Sequence, residues 1–356
     1  MSWRTAAHTV RRGTTPFPVE HLPETRMKAI VQDRYGSPDV LRLDDVAVPE
    51  PGPGEVRVLV RASSVNAADW HVMRGDPLFA RLALPSVFGM SGPRHRIRGR
   101  DVAGLVDAVG AGVTRLRPGD AVHGDLGDAN GAFAEYACVS EDLLDHKPAS
   151  LDFEHAAAVP LAGATALVAV RDVCEVRPGM RLAVNGASGG VGTFAVQIAV
   201  AAGAEVTAVC SARNATMVGD LGAHRVVDYR TQDFTTTGPF DAVLDLVGNR
   251  RLRDLRRATT PEGTIVLSGG GVSRGRTVTG PMGLIITGKV VAPFVSQRVV
   301  DFTVVPDRAH LATLRGMIDD GRVRPVVDRT YPLSDAAAAI HYMETQHARA
   351  KVVLTV

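Results

Sequence analysis

The sequence predicts an α/β protein in which a doubly wound parallel sheet is inserted into a β-rich module. Three observations carry this. Residues 27–150 read as short alternating strands parted by Pro/Gly turns, residues 151–321 alternate apolar strands with helical spacing, and short strands return over 322–356. Residues 1–26 stand apart as an expected flexible extension, rich in arginine, threonine and proline.

In the first module, M-K-A-I-V-Q (27–32) reads as a strand, and L-R-L-D-D-V-A-V (41–48) alternates as a half-buried strand does. P-E-P-G-P-G-E (49–55) is a turn cluster before the alternating V-R-V-L-V-R-A (56–62). D-V-A-G-L-V-D-A-V-G (101–110), the turn R-P-G-D (117–120) and A-F-A-E-Y-A-C-V (132–139) follow.

The rhythm then changes. L-A-V-N-G (182–186) is a continuous apolar run, and Val191, Phe194, Ala195, Ile198, Ala199 and Ala202 keep helical spacing until Gly203. E-V-T-A-V-C (205–210), R-V-V-D-Y (225–229), F-D-A-V-L-D-L-V-G (240–248) and T-I-V-L-S-G-G (264–270) supply further strands, a pattern that calls for a parallel sheet covered on both faces. V-V-D-R-T-Y-P-L (326–333), a helix over 335–344 and K-V-V-L-T-V (351–356) leave this beat and are expected to rejoin the first module.

Composition narrows the function classes. The chain has 356 residues, 45% hydrophobic and 22% charged, with a net charge of +2. So small a charge argues against nucleic acid or an acidic membrane surface as partner. Cys138, Cys174 and Cys210 are spaced 36 residues apart, which encodes neither a disulfide framework nor a cysteine zinc lobe. No apolar run approaches the roughly 20 residues of a membrane span, so a cytoplasmic protein is expected.

V-N-G-A-S-G-G-V-G (184–192) carries the first functional signal. Ala187, Gly189 and Gly192 form A-x-G-x-x-G after a strand and at the start of a helix, the context of a Rossmann dinucleotide fingerprint. Ser188, Gly190 and Val191 complete the turn, whose helix-start N–H groups would face a pyrophosphate. A tight turn that holds nothing is the lesser reading. After the second strand comes C-S-A-R-N, with Ser211 and Arg213 and no acidic residue. An NAD enzyme places Asp or Glu there, whereas Ser211 and Arg213 suit a 2′-phosphate and favour NADPH. The bland alternative is that Arg213 only solvates the next helix.

These segments, with D-L-V-G-N (245–249), V-N-A-A-D (65–69), G-R-D-V-A-G (99–104), R-P-G-D-A-V (117–122) and G-A-F-A-E-Y (131–136), resemble the medium-chain dehydrogenase/reductase superfamily. The resemblance covers residues 27–356 and is strongest to the zinc-free quinone oxidoreductases related to zeta-crystallin. It implies a GroES-like catalytic domain (27–150 and 322–356) around a Rossmann NADPH-binding domain (151–321), with the site in the cleft between them, and a homodimer. It further implies Tyr229 near the 2′-phosphate and Thr165 near the nicotinamide ribose. Val247, Gly248, Asn249, Gly269 and Gly270 would line the nicotinamide side. Each of these could instead serve only a strand end or a turn.

Zinc-dependent relatives carry a Cys after the third strand and G-H-E later. Here those places hold N-A-A-D-W and Gly99-Arg100-Asp101, and arginine does not ligate a metal, so catalytic zinc is not expected. Without a Lewis acid, oxidising an unactivated alcohol is hard, while an adjacent carbonyl makes hydride addition to a C=C easier. The expected activity is therefore NADPH-dependent reduction of a small-molecule quinone or α,β-unsaturated carbonyl compound. Zinc-free carbonyl chemistry and a non-catalytic NADPH-binding redox sensor are the alternatives. By resemblance Asn66 is the active-site donor and Asp69 orders its loop. His71 stands where the relatives often have Tyr, either as proton donor or as packing beside Trp70. The arginine-rich segment 81–100 reads best as a solvated basic loop.

Overall fold

The computed structural model describes residues 25–76, 81, 88–89, 92–268, 282–345 and 348–356. The extension expected over 1–26 lies outside them up to residue 24, as do Gly269, Gly270 and much of segment 81–100.

β1 (Arg26–Val31) and β2 (Arg42–Ala47) pair antiparallel as a hairpin. β3 (Glu55–Val65) is the spine of the first sheet. It pairs antiparallel with β4 (Asp101–Val109), whose other edge takes β5 (Ala121–Asp125), and with β6 (Tyr136–Ser140); β7 (Leu144–His146) closes on β5. Alternation along β3 buries Val56, Val58 and Val60 against Val102, Val106 and Val122. β6 is shorter than the alternating stretch at 132–139, because Phe133 and Ala134 turn instead to β1 through the Ile30 N–H to Phe133 carbonyl bond of 2.8 Å.

The second sheet contains β8 (Arg181–Asn185), β9 (Glu205–Cys210), β10 (Arg225–Asp228), β11 (Phe240–Asp245), β12 (Thr259–Leu267) and β13 (Arg298–Val300). Their spatial order is β10-β9-β8-β11-β12-β13, and every pairing is parallel. That is a doubly wound sheet whose order reverses between β8 and β11, where such sheets bind ligands. Helices cover both faces, as the continuous burial of Leu182–Asn185 requires. β14 (Val327–Pro332) and β15 (Lys351–Thr355) then return to the first sheet, β15 pairing antiparallel with β3.

β5 and β7 were not legible in the sequence. A-V-H-G-D carries two polar residues, His123 and Asp125, that the fold buries, so the alternation is missing. His123 is fully buried, with Nδ1 3.2 Å from the Ala156 carbonyl oxygen. Burial pushes its imidazole down from 6.5 to about 4. The unfolded chain therefore takes up a proton that the native chain refuses. This group's contribution is complete above pH 6.5 and is lost as pH falls towards 4, by roughly 3 kcal/mol in all. Denaturant unfolding of wild type and His123→Gln across that window should show the acid slope flattened in the variant; parallel curves would refute it.

Candidate active site

A cleft of about 760 Å³ lies between the two sheets. Its floor is the strand-turn-helix of the glycine motif. β8 ends at Asn185, Gly186 takes φ +90°, and α1 (Gly190–Ala201) begins after Gly189. A Cβ on Gly192 would sit 2.2 Å from the Gly186 carbonyl oxygen, so only glycine lets the helix pack this close. A Cβ on Gly189 would meet nothing nearer than that same oxygen at 3.4 Å, leaving the backbone open to the cleft. Ser188, Gly189, Gly190, Val191 and Gly192 line the cavity, while Ala187 is buried beneath it. The open backbone at a helix N-terminus fits a dinucleotide pyrophosphate.

One end of the cleft gathers Ser211, Arg213 and Tyr229, together with Arg230 and Asn214, two residues the sequence reading passed over. The Arg230 guanidinium lies 5.9 Å from the centre of the Tyr229 ring, and Asn214 Nδ2 donates to Ser188 Oγ at 3.0 Å. At the sheet's reversal point, buried Asp245 accepts from Asn185 Nδ2 (2.8 Å), Val247 N–H (3.1 Å) and Gly248 N–H (2.9 Å). Asn185 also donates to Asn249 Oδ1 at 2.9 Å. Val247 and Asn249 thereby face the cleft, and Gly248 anchors the turn behind them. Thr165 lines the cavity, with its hydroxyl donating to the Leu161 carbonyl at 2.7 Å.

The other end holds Asn66, but the three residues expected to act together are separated. Asn66 caps the helix Ala67–Arg74 and lines the cleft; neither Asp69 nor His71 does. Asp69 is buried and accepts the Asn66 backbone N–H at 2.9 Å, closing a capping box. Burial pushes its carboxyl up to about 6, against the pull of nearby Arg98. His71 follows two residues later, about 200° further round the helix. Its ring packs edge-on to Trp70 at 4.4 Å, Nδ1 is buried with no hydrogen-bond partner among the described residues, and burial pushes the imidazole down. Of the two readings of His71, proton donor or packing beside Trp70, the described residues show the packing, with His71 not among the residues lining this cleft.

What sequence reasoning missed is a buried charged knot beside Asn66. Lys351 Nζ donates to Asn66 Oδ1 at 2.5 Å and to Asp101 Oδ2 at 3.2 Å. Asp101 Oδ2 also accepts from Ser64 Oγ (2.5 Å) and Asn66 Nδ2 (2.9 Å), and Oδ1 accepts the Leu161 N–H at 2.9 Å. Lys351 is 3% exposed and Asp101 fully buried. A lysine heading an otherwise apolar strand, in a chain with only four lysines, was the available signal.

Next to Asp101, Arg100 forms a bidentate pair with Asp125, Nε to Oδ1 at 2.9 Å and Nη2 to Oδ2 at 2.8 Å. Among the described residues no group of three His, Cys, Asp or Glu side chains is arranged to hold a metal ion. The basic segment is also less loose than expected. Arg98 is buried, and the Arg81 guanidinium packs 4.2 Å from the centre of the Tyr35 ring.

Two family models match the chain: an alcohol dehydrogenase GroES-like domain over residues 52–149 and a zinc-binding dehydrogenase over residues 221–354. The chain is 30% identical over 338 residues to the chloroplastic quinone-oxidoreductase QR1 of Triphysaria versicolor, covering 92% of this chain and 98% of that one. It is 32% identical to the 2-methylene-furan-3-one reductase of Solanum lycopersicum, covering 93% and 79%. Among solved structures, the Escherichia coli quinone oxidoreductase complexed with NADPH superposes with a TM-score of 0.78 at 25% identity, covering 92% of this chain and 100% of that one. No helix among the described residues is long and apolar enough to cross a membrane.

Proposed function

This chain belongs to the medium-chain dehydrogenase/reductase superfamily, in its quinone-oxidoreductase branch, and is an NAD(P)H oxidoreductase; from that premise we propose that it reduces a quinone or the C=C of an α,β-unsaturated carbonyl compound, using NADPH and no zinc. The observation that supports this most is the cleft itself. It joins a helix N-terminus, a basic and hydroxyl-bearing pocket at one end, and an amide and an ammonium at the other.

NADPH bound there supplies a hydride to the substrate. The glycine turn would hold its pyrophosphate, and Ser211, Arg213, Tyr229 and Arg230 its 2′-phosphate. Thr165, Val247 and Asn249 would seat the nicotinamide ribose and ring. The chain's main catalytic contribution is to hold the substrate's carbon against that ring in the cleft between the two sheets. Water then protonates the carbon next to the carbonyl. Zinc independence rests on Arg100, whose guanidinium stands in the metal-ligand place of the zinc enzymes and is engaged with Asp125.

The test follows loss of reduced-nicotinamide absorbance with 1,4-benzoquinone, methyl vinyl ketone and cyclohexanone, with and without chelator. Turnover of the first two in chelator, and of NADPH over NADH, is expected. Turnover of cyclohexanone alone, or none, would sink the reading.

We assign residues 151–321 to the NADPH-binding unit and retain the cytoplasm as its compartment, on composition; the QR1 relative is chloroplastic. A homodimer is further supported by β13, the edge of the six-stranded sheet, and by the exposed Val290, Phe294 and Val305 near it. Phe294, 83% exposed, is the largest of these. Sedimentation should give twice the chain mass for wild type and a shift towards monomer for Phe294→Asp; a monomeric wild type would refute it.

A further inference from the structure

We infer that Lys351 is the hydrogen-bond donor to the substrate's carbonyl oxygen, the group that takes the charge as hydride arrives; this rests on the reductase reading above. The first reason is a count of donors at the catalytic end of the cleft. Asn66, the donor suggested by family resemblance, has its amide Nδ2 directed at Asp101 Oδ2 (2.9 Å) and the Ser64 carbonyl (3.2 Å). Both amide hydrogens are therefore spent inside the protein. The Thr165 hydroxyl is directed at Leu161, and His71 lies off the cleft. A lysine ammonium has three N–H groups, of which Asn66 Oδ1 and Asp101 Oδ2 take two. Among the described residues the third has no acceptor, and Lys351 is one of the residues that line the cavity.

The second reason is how firmly the ammonium is held. The Ala350 N–H donates to the Ser188 carbonyl at 2.7 Å, and Ala350 forms a parallel bridge with Gly189, tying the start of β15 to the cofactor turn. A Cβ on Gly190 would come within 3.0 Å of Lys351 Cδ, so that glycine also makes room for the lysine stem. From there the head reaches across to Asn66 and Asp101 of the other sheet. A lysine at 3% exposure, fixed by a carboxylate whose other contacts are all satisfied, carries a desolvation cost that apolar packing would avoid. A charge fixed at a buried position beside the reacting group is what stabilises an oxygen gaining charge during reaction. Asn66 then acts as a positioning residue, its carbonyl aiming the ammonium. The ammonium only donates a hydrogen bond: hydride adds to the β carbon, the C=C pair moves between the α and carbonyl carbons as the C=O pair goes to the oxygen, and a proton from water added at the α carbon, leaving hydroxide, restores the carbonyl.

The test compares wild type, Lys351→Met and the double variant Lys351→Met/Asp101→Asn, which leaves no unpaired buried charge if the single variant folds poorly. A fall in kcat of about 10²–10³-fold with NADPH affinity unchanged is expected. Activity within about threefold of wild type in either folded variant overturns the inference. A second readout needs no variant and no turnover. On the NADPH-loaded wild type, bound 4-nitrophenol, a mimic of the charged oxygen, should ionise at lower pH than it does free, seen by its phenolate absorbance. An unshifted or raised titration refutes the donor role. Failure of wild type with every quinone and enone would instead sink the reductase reading.

Discussion

Asp101→Ala is expected to lower the free energy of unfolding by about 3–5 kcal/mol, because it strands the Lys351 charge at 3% exposure with one partner gone. It also leaves the Ser64 hydroxyl, an Asn66 amide hydrogen and the Leu161 N–H without their acceptor. Denaturant titration measures this, and the double variant Asp101→Ala/Lys351→Met should recover part of the loss, since it removes the orphaned charge. A single-variant loss below about 1 kcal/mol would mean that the knot is wetter than its burial indicates. The effect should be structural first: Asp101 holds the walls of the cleft together through β4, β3, β15 and the helix that begins at Pro160.

Arg213→Asp is expected to shift cofactor preference towards NADH. Loss of a charge-assisted contact with the 2′-phosphate, together with repulsion from the new carboxylate, should cost about 2 kcal/mol, roughly thirtyfold in NADPH affinity. The same carboxylate can accept from the ribose hydroxyls of NADH. The measurement is the ratio of kcat/KM for the two cofactors, and an unchanged ratio would undercut the phosphate assignment. Arg230 faces the same pocket, so a residual preference for NADPH in the single variant should vanish when Arg230 is also replaced.

The sequence carried the second sheet well. Each of its longer strands is an apolar run bounded by glycine or a helix, and the parallel, two-sided burial they imply is what β8 and β9 show. β13 escaped because three residues are too short for any periodicity to register. In the first module β3 and β4 alternated legibly, whereas β5 and β7 bury His123, Asp125 and Asp145, polar residues that only tertiary partners make tolerable.

At the site the division is the same. The glycine turn, the placing of Ser211 and Arg213 beside it and the departures at Gly99-Arg100-Asp101 were legible because each depends on spacing along the chain. Local spacing determines turn geometry and helix starts, so the strand-turn-helix and the family could be read from letters alone. Lys351 and Asn66 are 285 positions apart, and Lys351 and Asp101 250. No local rule joins such residues; β15 must first pair with β3, and the glycine turn must first tie down Ala350. Conversely His71, near Asn66 in the chain, is not among the residues that line the cleft with it. Sequence by itself determined the glycine turn between strand and helix and the departures from a zinc-ligand pattern at its usual places. The tertiary structure decided which polar groups gather beside Asn66, because strand pairing, not sequence distance, brings Lys351 and Asp101 to it.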